Sequence, residues 1–168
     1  MPKYSGNFTS VTATAIADAN GLTDNNYQYA LQGGTSTQRN QIGEVMIGGE
    51  AAASAVLILK LARDSTASIT LVAGTGTRVP ALLDGSGTAP ATAPLGGNSA
   101  GTDPQRSATL HLLNFSFNAF GGITRWVAAP GYEISMVGNT ASLGDLSLSG
   151  FTGTGAGATS GHILFETL

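Results

Sequence analysis

Apolar and polar positions alternate along this chain in short runs, each broken by glycine, proline or asparagine. The clearest run is Ala55 to Arg63, where Leu57, Leu59 and Leu61 fall on one face and Val56, Ile58 and Lys60 on the other. Period two predicts a strand, and apolar residues on both faces predict a central one. Lys60 is expected near a rim, where its amine reaches water. A helix over Glu50 to Leu61 competes, because Ala and Leu are good helix formers. The β-branched Val56 and Ile58, and the Gly48-Gly49 pair before them, favour the strand.

Other runs follow the same period. Ile42 to Gly48 predicts a strand with Val45 and Ile47 on one face, turned by Gly48-Gly49. Short strands are expected at Tyr27 to Leu31, Ile69 to Val72, Leu146 to Leu148 and His162 to Glu166, the last with Ile163 and Phe165 on one side. Tyr4 to Ile16 alternates imperfectly, since Tyr4 and Phe8 share a parity that Val11 breaks. It reads as an extended arm or edge strand over residues 1–26, ahead of a main domain over 27–168. Phe151 to Gly161 (FTGTGAGATSG) reads as a flexible connector.

The aromatic weight lies in His111 to Val137, HLLNFSFNAFGGITRWVAAPGYEISMV. Leu113, Phe115 and Phe117 share a face and predict a core nucleus, because large aromatics dominate the area a core can bury. Gly121-Gly122 is expected to form a turn with Phe120 at its tip. Trp126 lies on the parity opposite Ile123 and Val127, which raises the prospect that part of the stretch faces a sister subunit. About nine or ten short strands without helical alternation predict an all-β, antiparallel β-sandwich, with a jelly roll as the expected topology. One long Gly/Pro-rich loop, residues 73–108, interrupts it with seven Gly and four of the six Pro. A loop of that length is either a solvated insertion or an arm that orders on a neighbour, and its prolines favour the arm.

Composition sharpens this picture. Charged residues are only 10% of the 168, and glycine reaches 24. So weakly charged a surface suits a subunit partly covered by neighbours, or a low-charge secreted domain. A net charge of −3 from scattered groups argues against a nucleic-acid footprint. No cysteine is present, which removes disulfides, thiolate metal sites and a cysteine nucleophile. No run is long enough to cross a membrane as a helix, and the N-terminus shows no apolar secretion segment.

Candidate chemistry is thin. GNSAG, Gly97 to Gly101, matches the hydrolase nucleophile pattern, but Ser99 sits in the Gly/Pro-rich loop without the strand-to-helix turn that chemistry requires. Gly153, Gly155 and Gly157 lack the lysine and the helix of a phosphate loop. His111 and His162 do not form a zinc pattern, and the acidic residues are dispersed. Arg125 beside Trp126 offers a stacking platform for a sugar, against the plainer reading that Trp126 packs and Arg125 faces out. No catalytic, cofactor-binding or metal-ligating residue is assigned, and the chain is read as a non-enzyme.

Three segments carry a resemblance: YSGNF at the start, IGEVMIGG with VLILKLARDST, and FNAFGGITRWVAAPGYEISM. Together with the Pro/Gly/Thr-rich mid-chain loop, they resemble small virion proteins of tailed bacteriophages. The resemblance implies a jelly-roll-like capsid decoration, or cement, protein, made in the host cytoplasm and seated on the capsid surface as a homotrimer. Its expected partners are the major capsid protein and its own copies, with neither nucleic acid nor membrane. Tyr4 and Phe8 of the arm, Pro80, Leu82 and Leu83 of the loop, and Phe120, Arg125 and Trp126 are the expected interface. A tail, baseplate or head-fibre role on the same sandwich is the neighbouring alternative. A carbohydrate-binding module using Trp126, Tyr132 and Tyr27 is the more distant one.

Overall fold

The computed structural model describes residues 1–23, 26–33, 35, 37–65, 69–71, 80–85, 94–98, 100–137 and 144–168. Two antiparallel sheets pack face to face, and no helix occurs among the described residues. The strands are β1 (Lys3–Thr12), β2 (Tyr27–Gln32), β3 (Arg39–Glu50), β4 (Val56–Asp64), β5 (Thr70–Leu71), β6 (Ala81–Leu82) and β7 (Leu95–Gly97). Then follow β8 (Ala100–Thr102), β9 (Arg106–Asn118), β10 (Phe120–Val127), β11 (Ile134–Val137), β12 (Leu146–Gly150) and β13 (Ala158–Thr167).

Sheet I runs β10-β3-β13-β1-β6, with β11 following β10 along the same side of β3. Sheet II runs β7-β2-β12-β4-β9. The eight principal strands are β1, β2, β3, β4, β9, β10, β12 and β13. Numbered in that order, they give sheets 1-8-3-6 and 2-7-4-5, which is a jelly roll.

The core between the sheets takes Leu57, Leu59 and Leu61 from β4 and Phe115 from β9. It also takes Ile42, Val45 and Ile47 from β3, and Ile163 and Phe165 from β13. Ile42 and Val45 are of opposite parity yet both point inward. The β3–β13 register slips there, pairing Leu164 with Glu44 and Phe165 with Ile42, so Gly43 is an extra residue in a bulge. A second bulge lies in β1 between Phe8 and Val11, with Ser10 at φ 52°. It puts Tyr4, Phe8 and Val11 all into the core and explains their broken alternation.

Several expectations need correction. Residues 1–26 are not a separate arm: β1 pairs with β13 along most of its length and with the two-residue β6 on its other side. Gly48-Gly49 is not a turn but lies within β3, where a Cβ on Gly49 would overlap the Ala119 carbonyl. The connector after Phe151 is short, because Ala158 already belongs to β13. The long loop, where it is described, supplies β6, β7 and β8 and lies against the sandwich, with Pro80 and Pro94 buried. The expected strand at Ile69 to Val72 is β5, and Val72 lies outside the described residues.

The two sheets differ on their outer faces. The β2 side of sheet II is covered by a second apolar cluster, in which Leu22, Ile69 and Leu71 pack on Tyr27 and Ala30 of β2, with Ile16, Leu95 and Ala100 at its margin, while Val56 of β4 and much of β9 stay exposed. Every residue of β2 and of β12 is therefore buried, on both faces. Sheet I has no such layer among the described residues.

Candidate interaction surface

Two places gather charged side chains, and they serve different purposes. The first lies under the cover of sheet II. Arg106 is fully buried and donates from Nε to Asp18 Oδ1 at 2.7 Å. It donates further to Ser149 Oγ at 2.6 Å, to the Gly150 carbonyl at 2.9 Å and to the Ile16 carbonyl. Lys60 Nζ stands 3.7 Å from Asp18 Oδ2, 3.3 Å from His111 Nδ1 and 3.2 Å above the centre of the Phe151 ring. The ammonium expected in water is thus held over an aromatic face. Partial burial works to raise the Asp18 carboxyl, but the hydrogen bond and charge of Arg106, with His111 and Lys60 behind them, hold it below the usual range.

Farther along the same face, Asp145 and Asp64 sit side by side on β12's approach and on β4. Burial pushes Asp64 up to about 7, repulsion from Asp145 adds to it, and the Ser147 hydroxyl at 2.7 Å and Arg106 oppose it. Burial likewise takes Asp145 up to about 6, against hydrogen bonds from the Ile69 and Gly33 backbone N–H groups. Gln32 accepts from the Leu71 N–H at 3.3 Å and donates to the Ile69 carbonyl. β5 pairs with β8 in a small two-stranded sheet, and these side-chain contacts pin residues 69–71 to sheet II. His111 is flanked by an ammonium and a carboxylate, not by a hydroxyl or thiol it could activate. No group of three or more metal-ligating side chains occurs among the described residues. The cluster fastens a layer down.

The second place is the bare outer face of sheet I. On β10, Ile123, Arg125 and Val127 point outward, with Ile123 67% and Val127 54% exposed. Tyr132, in the turn that follows, is 79% exposed, and Phe120 at the hairpin tip 62%. Arg125 makes a two-pronged pair with Glu44 at 3.0 and 2.7 Å, and His162 Nε2 lies 3.0 Å from the same carboxylate. The Arg125 hydrogen bonds, aided by His162 against some desolvation, hold Glu44 below the ordinary glutamate range. Next to Glu44 opens a groove of about 380 Å³, floored by Leu164 and Phe165 and edged by Lys3, Leu83, Glu133 and Glu166.

The expected interface residues divide. Leu83, Phe120 and Arg125 lie at the surface. Tyr4, Phe8 and Pro80 are buried within the chain, which leaves their side chains no area for a partner. Leu82 and Trp126 are half-buried and pack on the core, so Trp126 points inward and the plainer reading of the Arg125-Trp126 pair holds. Ile123 and Val127, outside the expected interface, are the exposed residues of β10, and their parity opposite Trp126 is the signal for it in the sequence. Tyr27 is fully buried, so it cannot join Trp126 and Tyr132 in a sugar platform. Gly155 and Gly157 press against Ala55 and Ala119 and lead into a strand, as close packing and not as a phosphate loop. Ser99 lies outside the described residues. No helix among the described residues is long and apolar enough to cross a membrane.

Compared with known proteins, the chain matches no family model, no curated protein and no solved structure.

Proposed function

We propose that this protein is a virion structural protein of the capsid-decoration class, which binds the outer surface of a phage head and stabilises the shell. The observation that carries the reading is the asymmetry of the sandwich. Over β2 and β12 one sheet is buried on both faces, although Val56 of β4 and Leu110 of β9 stay exposed. The other has no covering layer among the described residues and exposes Ile123 and Val127, with Phe120 at the hairpin tip and Tyr132 in the following turn beside them. Exposed apolar groups concentrated on one side mark a surface to be covered. A weakly charged chain of this shape suits a subunit seated flat on a larger assembly. The sequence resemblance to small phage virion proteins points the same way.

A protein that binds only the intact shell raises its resistance to rupture by mass action. Shells assembled with and without the protein, heated while genome release is followed, test this. Release at a higher temperature with the protein bound is the expected result, and equal release would overturn it. A tail, baseplate or head-fibre position is separated by offering labelled protein to isolated heads and isolated tails.

A further inference from the structure

The segment from Ile16 to Leu22 straps over sheet II and is tied down along its length. The Ile16 carbonyl accepts from Arg106, Asp18 pairs with the same guanidinium, and Leu22 is buried in the covering cluster. The Ala19 N–H donates to the Arg106 carbonyl at 3.1 Å, and the Leu22 N–H to the Pro104 carbonyl at 2.9 Å. Between these ties lie Asn20 and Gly21, the only Asn-Gly pair in the chain, and both are exposed. Gly21 bridges Gln105 in a register that puts the hydrogen bonds on its neighbours, so its own N–H has no partner among the described residues. The Asn20 side-chain amide has none either.

An asparagine followed by an unhindered main-chain nitrogen is set up to react with it, because the two groups already belong to one five-membered ring in waiting. We propose that Asn20 converts spontaneously, through a cyclic imide, to aspartate and isoaspartate, and that the conversion loosens the strap over sheet II. The Gly21 nitrogen gives its proton to solvent and bonds to Asn20 Cγ, the Cγ–Nδ2 bond breaks, and ammonia leaves. Water then opens the ring. Attack at Cγ leaves aspartate. Attack at the main-chain carbonyl leaves isoaspartate, in which the chain runs through Cβ and Cγ.

The other described asparagines are placed differently. Asn118 precedes the small Ala119, but its amide donates to Ser54 Oγ at 2.8 Å and its oxygen accepts from the Phe120 N–H at 2.8 Å. Asn26 is bonded through both side-chain atoms to Thr23. Asn40 and Asn98 are buried. Asn7 and Asn114 are exposed but precede Phe8 and Phe115, whose bulk crowds the attacking nitrogen. At Asn20 either product adds a negative charge two residues from Asp18. Isoaspartate also lengthens the main chain between the Ala19 and Leu22 ties, which then no longer match the spacing of Arg106 and Pro104. The inference concerns the chain alone and does not depend on the capsid reading.

The test ages the purified full chain at pH 8 and digests samples for mass analysis. The peptide holding Asn20 is expected to gain about 1 Da as an amide becomes an acid, ahead of every other described asparagine. Methyl transfer by an isoaspartate methyltransferase counts the β-linked product. Gly21→Ala, whose Cβ meets nothing, should keep the fold and convert about tenfold more slowly or less, because the added methyl hinders ring closure. The aged parent should melt below the fresh chain, and aged Gly21→Ala should not. An Asn20 peptide of unchanged mass overturns the proposal, as does conversion at an equal rate in Gly21→Ala. A fully converted chain that melts where the fresh one does overturns the loosening of the strap.

Discussion

Arg106 Nε donates to Asp18 Oδ1 across 2.7 Å and so ties the start of β9 to a loop 88 residues earlier in the chain. The guanidinium has no exposed surface and satisfies two backbone carbonyls and the Ser149 hydroxyl as well. Arginine suits the place because its planar fork can serve several acceptors at once.

Removing that hub should be severe. Arg106→Met is expected to cost about 3–5 kcal/mol, because it leaves the Ile16 and Gly150 carbonyls without this donor and Asp18 with only Lys60 and His111 beside it. Adding Asp18→Asn should recover part of the loss. Urea unfolding of the two single variants and the double closes the cycle, and strictly additive effects would refute the coupling.

The buried acids predict an unusual pH profile. Asp64 and Asp145 are raised in the folded chain, to about 7 and about 6, so the folded state binds these protons more tightly than the unfolded one. Their protonation therefore adds stability as pH falls, and that stability is lost as pH rises through about 6 to 7. Asp18, Glu44 and Glu50 are lowered, and their contribution is lost only as pH falls through and below the ordinary carboxylate range. The melting temperature should peak in the mildly acidic range and fall toward pH 8. Asp64→Asn, which keeps an acceptor for Ser147, should remove much of that fall and gain on the order of 1–2 kcal/mol at pH 8. A flat profile between pH 5 and pH 8 would sink this account.

Two glycines of β3 should respond in opposite ways to alanine. A Cβ on Gly49 meets the Ala119 and Asn118 backbone, whereas one on Gly43 meets nothing. Gly49→Ala is expected to destabilise by about 1–3 kcal/mol. Gly43→Ala should stay within about 0.5 kcal/mol of the parent. Denaturant midpoints compare them directly.

Ala19 holds a φ of 62°, in the region where a Cβ is crowded. Ala19→Gly is expected to raise stability by about 1 kcal/mol, the relief of a left-handed non-glycine residue offset in part by unfolded-state entropy. A lower melting temperature would show that the loop is held by something other than this strain.

The alternation of Leu57, Leu59 and Leu61 and the aromatics of β9 were enough to read the sandwich, because a two-residue period belongs to the strand itself. The bulges were half legible: Val11 breaks the parity of Tyr4 and Phe8, but the slip behind it depends on β13, far along the chain. Gly48-Gly49 misled because glycine serves a turn and a close backbone approach equally well, and only the approach of Ala119 separates them. The charged network left no trace in the sequence. Asp18, Lys60, Arg106 and Asp145 have no common spacing, and their meeting is made by strand register. On the outer face of sheet I, by contrast, the parity of Ile123, Arg125 and Val127 already described the exposed side.

The pairing of β1 with β13 has a consequence for the order of events in folding. Ser10 N–H reaches Ser160 Oγ across a separation of 150 residues, and the Thr167 N–H donates to the Pro2 carbonyl. During synthesis β1 must therefore wait, with Tyr4 uncovered, until the ribosome has delivered the strand it lies beside. A topology so dominated by distant contacts folds slowly. Phe8 can meet Tyr29 of β2 early, but Tyr4 lacks Phe165 until β13 arrives, and that interval is when a chaperone, or another nascent copy, would find this chain easiest to hold.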